Sequence, residues 1–220
     1  RKPYVTLTAA VAAKIVDGQT DTYVFELAPG NYDGNINLDH SATQSFEIRG
    51  SGMDSTYIRA GTGFLDTQPD LLYFRDFKAI TLADCTLQFG KYQLYVRNAE
   101  RVRCENVRFL QGASEGRVVT HNLTGSQEQQ QNFWASQWFS NGGATRIRNV
   151  EQLEMIDCNV EYCLRGIRCQ EIGLTGKTSL ISGCKFYRTL ESSVYLGSAT
   201  YDGNPANGCY GVTVQNCSVK

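Results

Sequence analysis

The sequence predicts an all-β fold, a parallel β-helix in which short strands stack as a solenoid, with a short N-terminal capping helix. Two observations predict it. Five segments superimpose without gaps, at 80–87, 102–109, 153–160, 179–186 and 212–219. Their third positions, residues 82, 104, 155, 181 and 214, are spaced by 22, 51, 26 and 33 residues. A basic period in the low twenties with loops added is the signature of stacked coils. The step of 51 holds either one more coil or a long insertion.

Each column of the alignment has its own chemistry. Column three (Leu82, Cys104, Met155, Ile181, Val214) is apolar, as is column one apart from Ser179. Alternate apolar positions mark one face of a strand. Column five (Asp84, Asn106, Asp157, Gly183, Asn216) holds only residues that tolerate left-handed backbone angles, so the chain is predicted to bend there. Column six (Cys85, Val107, Cys158, Cys184, Cys217) turns inward again, and column eight (Leu87, Phe109, Val160, Phe186, Val219) opens the next strand. A second apolar group follows at Leu94/Val96, Val118, Ile167/Cys169 and Val194/Leu196, another face of the same coil. A β-sandwich would need hairpin turns between strands. A leucine-rich repeat would need a helical half, which is missing.

The chain of 220 residues suits one domain, 1–220, with ample core. Its 21 basic and 22 acidic residues balance, so no global charge draws it to nucleic acid or an anionic membrane. No apolar run reaches the roughly 18 residues of a membrane helix. The eight cysteines, none before Cys85, include no CxxC pair, and only His40 and His121 could assist them. No metal and no cofactor is therefore expected. The column-six thiols would point the same way from neighbouring coils, poor geometry for a disulfide. They are expected to be buried free thiols, made in a reducing cytosol.

Ahead of the repeats, 6–17 (TLTAAVAAKIVD) is the clearest helix, with Leu7, Val11 and Ile15 on one side and Thr6 or Thr8 as its cap. Strands follow at 22–27, 36–38 and 45–49, with turns at Pro29-Gly30-Asn31 and Gly50-Ser51-Gly52. The Ala-rich helix, then TYVFELAPGNYDGNINL and FEIRGSGMDSTYIRAG, resembles the opening of pectin-lyase-like right-handed parallel β-helix proteins. Pro29, Gly30 and Tyr32 match that family's turn, and Gly50, Gly52, Thr56 and Ile58 match its first coil. With the repeats, the resemblance covers nearly the whole chain.

The family includes pectate lyases, pectin methylesterases, polygalacturonases and bacteriophage tailspikes. The catalytic patterns of the plant-cell-wall enzymes are absent; Leu87-Gln88-Phe89-Gly90 shares only the tail of the methylesterase motif. The resemblance then implies the tailspike or virion-appendage branch. That branch implies a homo-oligomer, a trimer favoured, whose partners are a surface polysaccharide, copies of itself and other virion proteins. The expected location is a virion or cell-surface appendage, with secretion as the alternative. Arg1 in place of Met, and a last repeat that closes at Lys220, lead to the expectation of a larger protein or assembly.

An inserted aromatic loop, 121–145, breaks the repeat and carries Trp134 and Trp138. These indoles either stack on sugar rings or pack the loop onto the coil or a neighbouring subunit. A second loop, 198–209, carries Tyr201 and Asp202 as further binding candidates. Arg97, Arg117, Arg165 and Arg168 flank matching strands and would form a basic strip for an acidic polysaccharide, or a solvated face balanced by acids. If the chain is instead a polysaccharide lyase or glycoside hydrolase, Glu154, Glu161 and Arg168 are its candidate catalytic residues. Hydrolysis needs two carboxylates about 5–9.5 Å apart, and this pair is separated by the predicted bend at Asp157.

Overall fold

Thr6 caps the one helix among the described residues, α1 (Leu7–Ala12), by accepting a hydrogen bond from the Ala9 amide at 3.0 Å. The computed structural model describes residues 6–14, 21–33, 35–39, 44–60, 70–111, 143–189, 192–198 and 208–220. Helix α1 is shorter than the expected 6–17: the Lys14 amide bonds to the Val11 carbonyl, a tightened last turn, and Ala13 caps it. Residues 15–17 lie outside the described residues. Leu7, Ala10 and Val11 bury the inner side of the helix.

The rest is strand. The elements are β1 (Thr22–Glu26), β2 (Gly30–Asp33), β3 (Ile36–Asp39), β4 (Ser45–Arg49), β5 (Thr56–Arg59), β6 (Leu72–Gln88), β7 (Tyr92–Leu110), β8 (Gly143–Ile156), β9 (Asn159–Glu161), β10 (Arg165–Ile172), β11 (Ser179–Ser182), β12 (Lys185–Tyr187), β13 (Ser192–Gly197), β14 (Val212–Gln215) and β15 (Ser218–Val219). They join in one sheet whose spine runs β1-β4-β6-β7-β8-β10-β13, with the shorter strands branching from it. Pairing is parallel throughout the described strands. Parallel neighbours cannot be joined by hairpins, so each connection crosses over.

The predicted columns are registers of this sheet. Ile48, Leu82, Cys104, Met155, Ile181 and Val214 are successive partners, adding Ile48 to column three. Ile58, Leu87, Phe109, Val160, Phe186 and Val219 do the same for column eight. Cys104 pairs directly with Met155, so the long step is an insertion and not an extra coil. The expected insertion boundary at 145 moves back, because Gly143, Ala144 and Thr145 already belong to β8 and are buried. Gly143 opens β8. Its role is close approach: a Cβ there would stand 2.7 Å from the Arg165 carbonyl oxygen.

Strands β6 and β7 run in one register from Leu72 beside Leu94 to Gln88 beside Leu110, although each bends twice on the way. The bends are left-handed residues. Column five supplies one set, with φ between 51° and 68° (Asp84, Asn106, Asp157, Gly183, Asn216). Asp76, Asn98, Asn149 and Glu171 supply a second set, and Phe89, Gln111, Tyr162 and Arg188 a third. Asp and Asn bear this conformation at low cost and use their side chains to tie the stack together. Asn106 Nδ2 donates to Asp84 Oδ1 at 2.6 Å, Asn98 Nδ2 to Asp76 Oδ1 at 2.7 Å, and Asn149 Nδ2 to Asn98 Oδ1 at 2.8 Å.

The interior is apolar and continuous from α1 to Phe186. Phe46 lies at its aromatic end, with the ring of Phe74 at 4.8 Å, Phe25 at 5.1 Å and Phe77 at 6.5 Å. Ser179, the polar exception in column one, is buried and accepts the Leu153 amide at 2.9 Å. Gln93 is also inside; its amide donates to the Leu87 and Leu110 carbonyls, and the Cys163 thiol lies 3.7 Å from its oxygen.

All eight cysteines are free, and all but Cys209 and Cys217 are buried. The thiols of Cys158, Cys184 and Cys217 donate to the column-three carbonyls of the preceding row, those of Cys104, Met155 and Ile181, at 3.6, 3.5 and 3.8 Å. Burial pushes the Cys85 thiol up to about 12. Native protein treated with iodoacetamide at pH 8 is expected to gain at most two adducts by intact mass, at Cys209 and Cys217. The other six should react only in denaturant. Native modification of Cys104 or Cys158 would contradict the inward ladder.

Candidate functional site

Burial of Leu72 and Phe74 forces Tyr73 and Arg75 outward, since neighbouring residues of a strand face opposite ways. The same alternation repeats on β7 and β8, and on β10 as far as Cys169, where Gln170 is buried. The five-residue pattern runs Leu72-Tyr73-Phe74-Arg75-Asp76, Leu94-Tyr95-Val96-Arg97-Asn98, Thr145-Arg146-Ile147-Arg148-Asn149 and Ile167-Arg168-Cys169-Gln170-Glu171, and each copy ends on a left-handed bend. Parallel register brings the second positions together as one column: Tyr73, Tyr95, Arg146, Arg168 and, on β13, Tyr195. The fourth positions form the adjoining column of Arg75, Arg97, Arg148 and Gln170.

The first column is a stack of rings and guanidinium groups. Tyr73 and Tyr95 meet edge to face at 5.0 Å. Arg146 Cζ lies 5.1 Å from the Tyr95 ring centre and 5.8 Å from that of Tyr92, and Arg168 Cζ lies 5.5 Å from that of Tyr195. Such contacts contribute about 0.5–1 kcal/mol each at exposed sites and more where water is excluded. The Thr145 hydroxyl accepts the Arg168 amide at 3.2 Å and so ties β8 to β10 beneath the column.

The cations of this face divide into two kinds. Arg75 is neutralised by Asp39 at 2.6 Å and Asp76 at 3.4 Å, and Arg148 by Glu171 at 3.3 Å. Among the described residues Arg97, Arg146 and Arg168 have no carboxylate partner. At the edge of the face, Asp70 Oδ1 accepts the Tyr92 amide at 3.1 Å. Burial pushes the Asp70 carboxyl up, against that hydrogen bond and the nearby Lys91 and Arg146 charges. Among the described residues, the Tyr92 hydroxyl and Arg146 Nε are buried without a hydrogen-bond partner.

Of the binding residues expected from the sequence, the structure brings Arg97 and Arg168 to this face, in adjoining columns. Arg165 begins β10 beside Ser192, ahead of the column. Arg117, Trp134, Trp138, Tyr201 and Asp202 lie outside the described residues.

The two candidate acids stand apart from this face and from one another. Glu154 follows the next bend of β8 and is clamped by Arg101 at 2.6 Å and Arg103 at 2.9 Å. Burial alone would raise its carboxyl; the hydrogen bonds and charges of the two arginines outweigh that and hold it low. Glu161, beyond the Asp157 bend on β9, has Arg108 at 3.3 Å. A general acid needs a raised carboxyl, and the arginine clamp on Glu154 works against that. Among the described residues no group of three His, Cys, Asp or Glu is placed to hold a metal ion.

Sequence reasoning missed Tyr73, Tyr95, Arg146, Tyr195, Asp70 and Tyr92. The signal that could have found Tyr73, Tyr95 and Arg146 is the five-residue pattern ending in Asp, Asn or Glu. No family model matches the chain, and no curated protein matches it.

Proposed function

We propose that the coils close into a right-handed parallel β-helix of the pectin-lyase-like kind, and that the chain is a tailspike-like, virion-associated module that binds a surface polysaccharide. Support for the β-helix comes from strands that stay in parallel register through successive left-handed bends. The single observation that carries the binding role is the outward column of Tyr73, Tyr95, Arg146, Arg168 and Tyr195 on a rigid sheet. Tyrosine rings offer flat apolar faces to sugar rings, and guanidinium groups offer forked donors to hydroxyl and carboxyl oxygens. A sheet-held site also loses little conformational freedom on binding. Self-association as a trimer belongs to the same proposal.

A degradative role is the second reading, and Asp70 favours it: a carboxyl raised by burial beside Arg146 is the kind of group an acid catalyst needs. The test is affinity electrophoresis against bacterial and algal polysaccharides, with released reducing ends and unsaturated uronates assayed on the same mixtures. Retardation by at least one polymer without cleavage is expected, and Tyr95→Ala and Tyr195→Ala should each weaken it about tenfold, roughly 1.4 kcal/mol. Cleavage would favour the enzyme, and equal retardation of both variants would remove the column from the site.

A further inference from the structure

Resting on the glycan-binding reading, we infer that this face selects acidic sugars and that Arg146 is the anchor for their carboxylates. The charge pattern carries the first half. Arg97 stands between Arg75 and Arg148 in register, and Arg146 stands beside Arg168, so cations neighbour cations across four strands. Like charges on adjacent strands oppose folding. Elsewhere the same sheet neutralises such neighbours: Arg101 and Arg103 share Glu154, Arg103 also holds Glu105, and Arg108 lies between Asp54 and Glu161. On the tyrosine–arginine face, among the described residues, only Arg75 and Arg148 of these five arginines are held in ion pairs, which leaves Arg97, Arg146 and Arg168 without one in two adjoining columns.

The second half rests on Arg146 itself. Its Nε–H can only donate, and it is buried with no acceptor among the described residues. The Tyr92 hydroxyl, on a side chain only 1% exposed, also lacks a partner, and its ring lies 5.8 Å from the Arg146 Cζ. The missing group is therefore an acceptor, and beside an unneutralised guanidinium a planar carboxylate fits best, because it takes two parallel N–H donors. Tyr73 and Tyr95 on one side of the two cations and Tyr195 on the other give the apolar ring faces of the same polymer somewhere to lie. A nucleic acid is the weaker fit. Its affinity comes from neutralising many phosphates, and the chain carries a net charge of −1.

The experiment titrates the whole chain with polygalacturonate, alginate and polysialic acid, each beside its carboxyl-methylated form, and with dextran sulfate and a single-stranded oligothymidylate. At least one carboxylate polymer is expected to bind, about tenfold tighter than its methylated form. Arg146→Gln should weaken that binding about tenfold or more, whereas Arg101→Gln, which removes an equal charge from another face, should change it less than about twofold. Arg146→Lys, which keeps the charge without the fork, should fall between them, and serves if the glutamine variant does not fold. Methylated polymers binding as tightly, or an unchanged Arg146→Gln, would overturn acidic selection and leave glycan binding standing. Dextran sulfate binding as tightly would overturn the carboxylate anchor. Preference for the oligonucleotide, or no binding to any polymer, would overturn both this inference and the glycan reading beneath it.

Discussion

Phe46→Ala is expected to destabilise the protein by about 4 kcal/mol, because the ring is buried and its removal leaves a cavity as well as lost transfer energy. Three other rings converge on it, Phe25 from β1 and Phe74 and Phe77 from either side of the Asp76 bend of β6, so no single neighbour can move in to fill the space. In a domain of this size that loss lowers Tm by roughly 8–16 °C. Thermal unfolding followed by circular dichroism checks it, with Phe46→Leu beside it; leucine keeps much of the volume and should recover more than half of the lost stability. A fall of less than about 3 °C for the alanine variant would mean that the aromatic end of the interior is looser than the ring distances indicate.

Gly50→Ala is the second large effect. A Cβ at Gly50 would stand 2.1 Å from the Asp84 carbonyl oxygen and 2.9 Å from the Thr56 Cβ. The oxygen belongs to the backbone of β6 and accepts the Gly52 amide at 2.9 Å, so it cannot retreat without giving up that bond. The Gly50 amide in turn reaches the Ala83 carbonyl at 2.9 Å, which fixes the distance between the two coils. The expected cost is about 3 kcal/mol or more, the upper range for forced overpacking. Gly176→Ala is the control. Gly176 has φ +82° with nothing within 4 Å of the added carbon, so only the left-handed penalty of about 1–2 kcal/mol applies. Urea midpoints of the two variants should differ in that order, and equal midpoints would show that the coils separate easily at Gly50.

Gly50 and Gly52 were legible in the sequence as a turn between strands, and Gly176 was not singled out. The parallel columns were legible for a physical reason. Alternation marks which residues face inward, and a left-handed bend restricts its position to Asp, Asn or Gly, so the two signals recur together at 84, 106, 157, 183 and 216. The third set of bends was not legible, because Phe89, Gln111, Tyr162 and Arg188 adopt left-handed angles with side chains that give no turn signal. The first coil was seen as strands but not as rows of the same columns. Its link between Ile48 and Leu82 has no column-five residue with a side chain; Gly50 takes the close approach instead.

The candidate face was half legible. Arg97 and Arg168 were expected on a basic strip, yet which arginines are neutralised depends on contacts such as Arg75 with Asp39 and Arg101 with Glu154, across 36 and 53 residues of chain. No local pattern encodes those pairings. Arg146 stayed hidden because it follows directly on the insertion, where its row of the repeat was counted as loop. The converse holds for Glu154: it was legible as an outward carboxylate, but its arginine partners on β7 were out of sight.

The unbroken parallel register has one more consequence. Outward side chains one row apart sit at the interstrand spacing of about 4.8 Å, so the tyrosine–arginine face is graduated like a ruler. A long periodic chain laid along it has no unique starting mark. It can engage several rungs at once, let go of one while the others hold, and advance by a rung without leaving the surface. In the proposed binding role, tenacity on such a surface grows with the number of rungs occupied as well as with the strength of each.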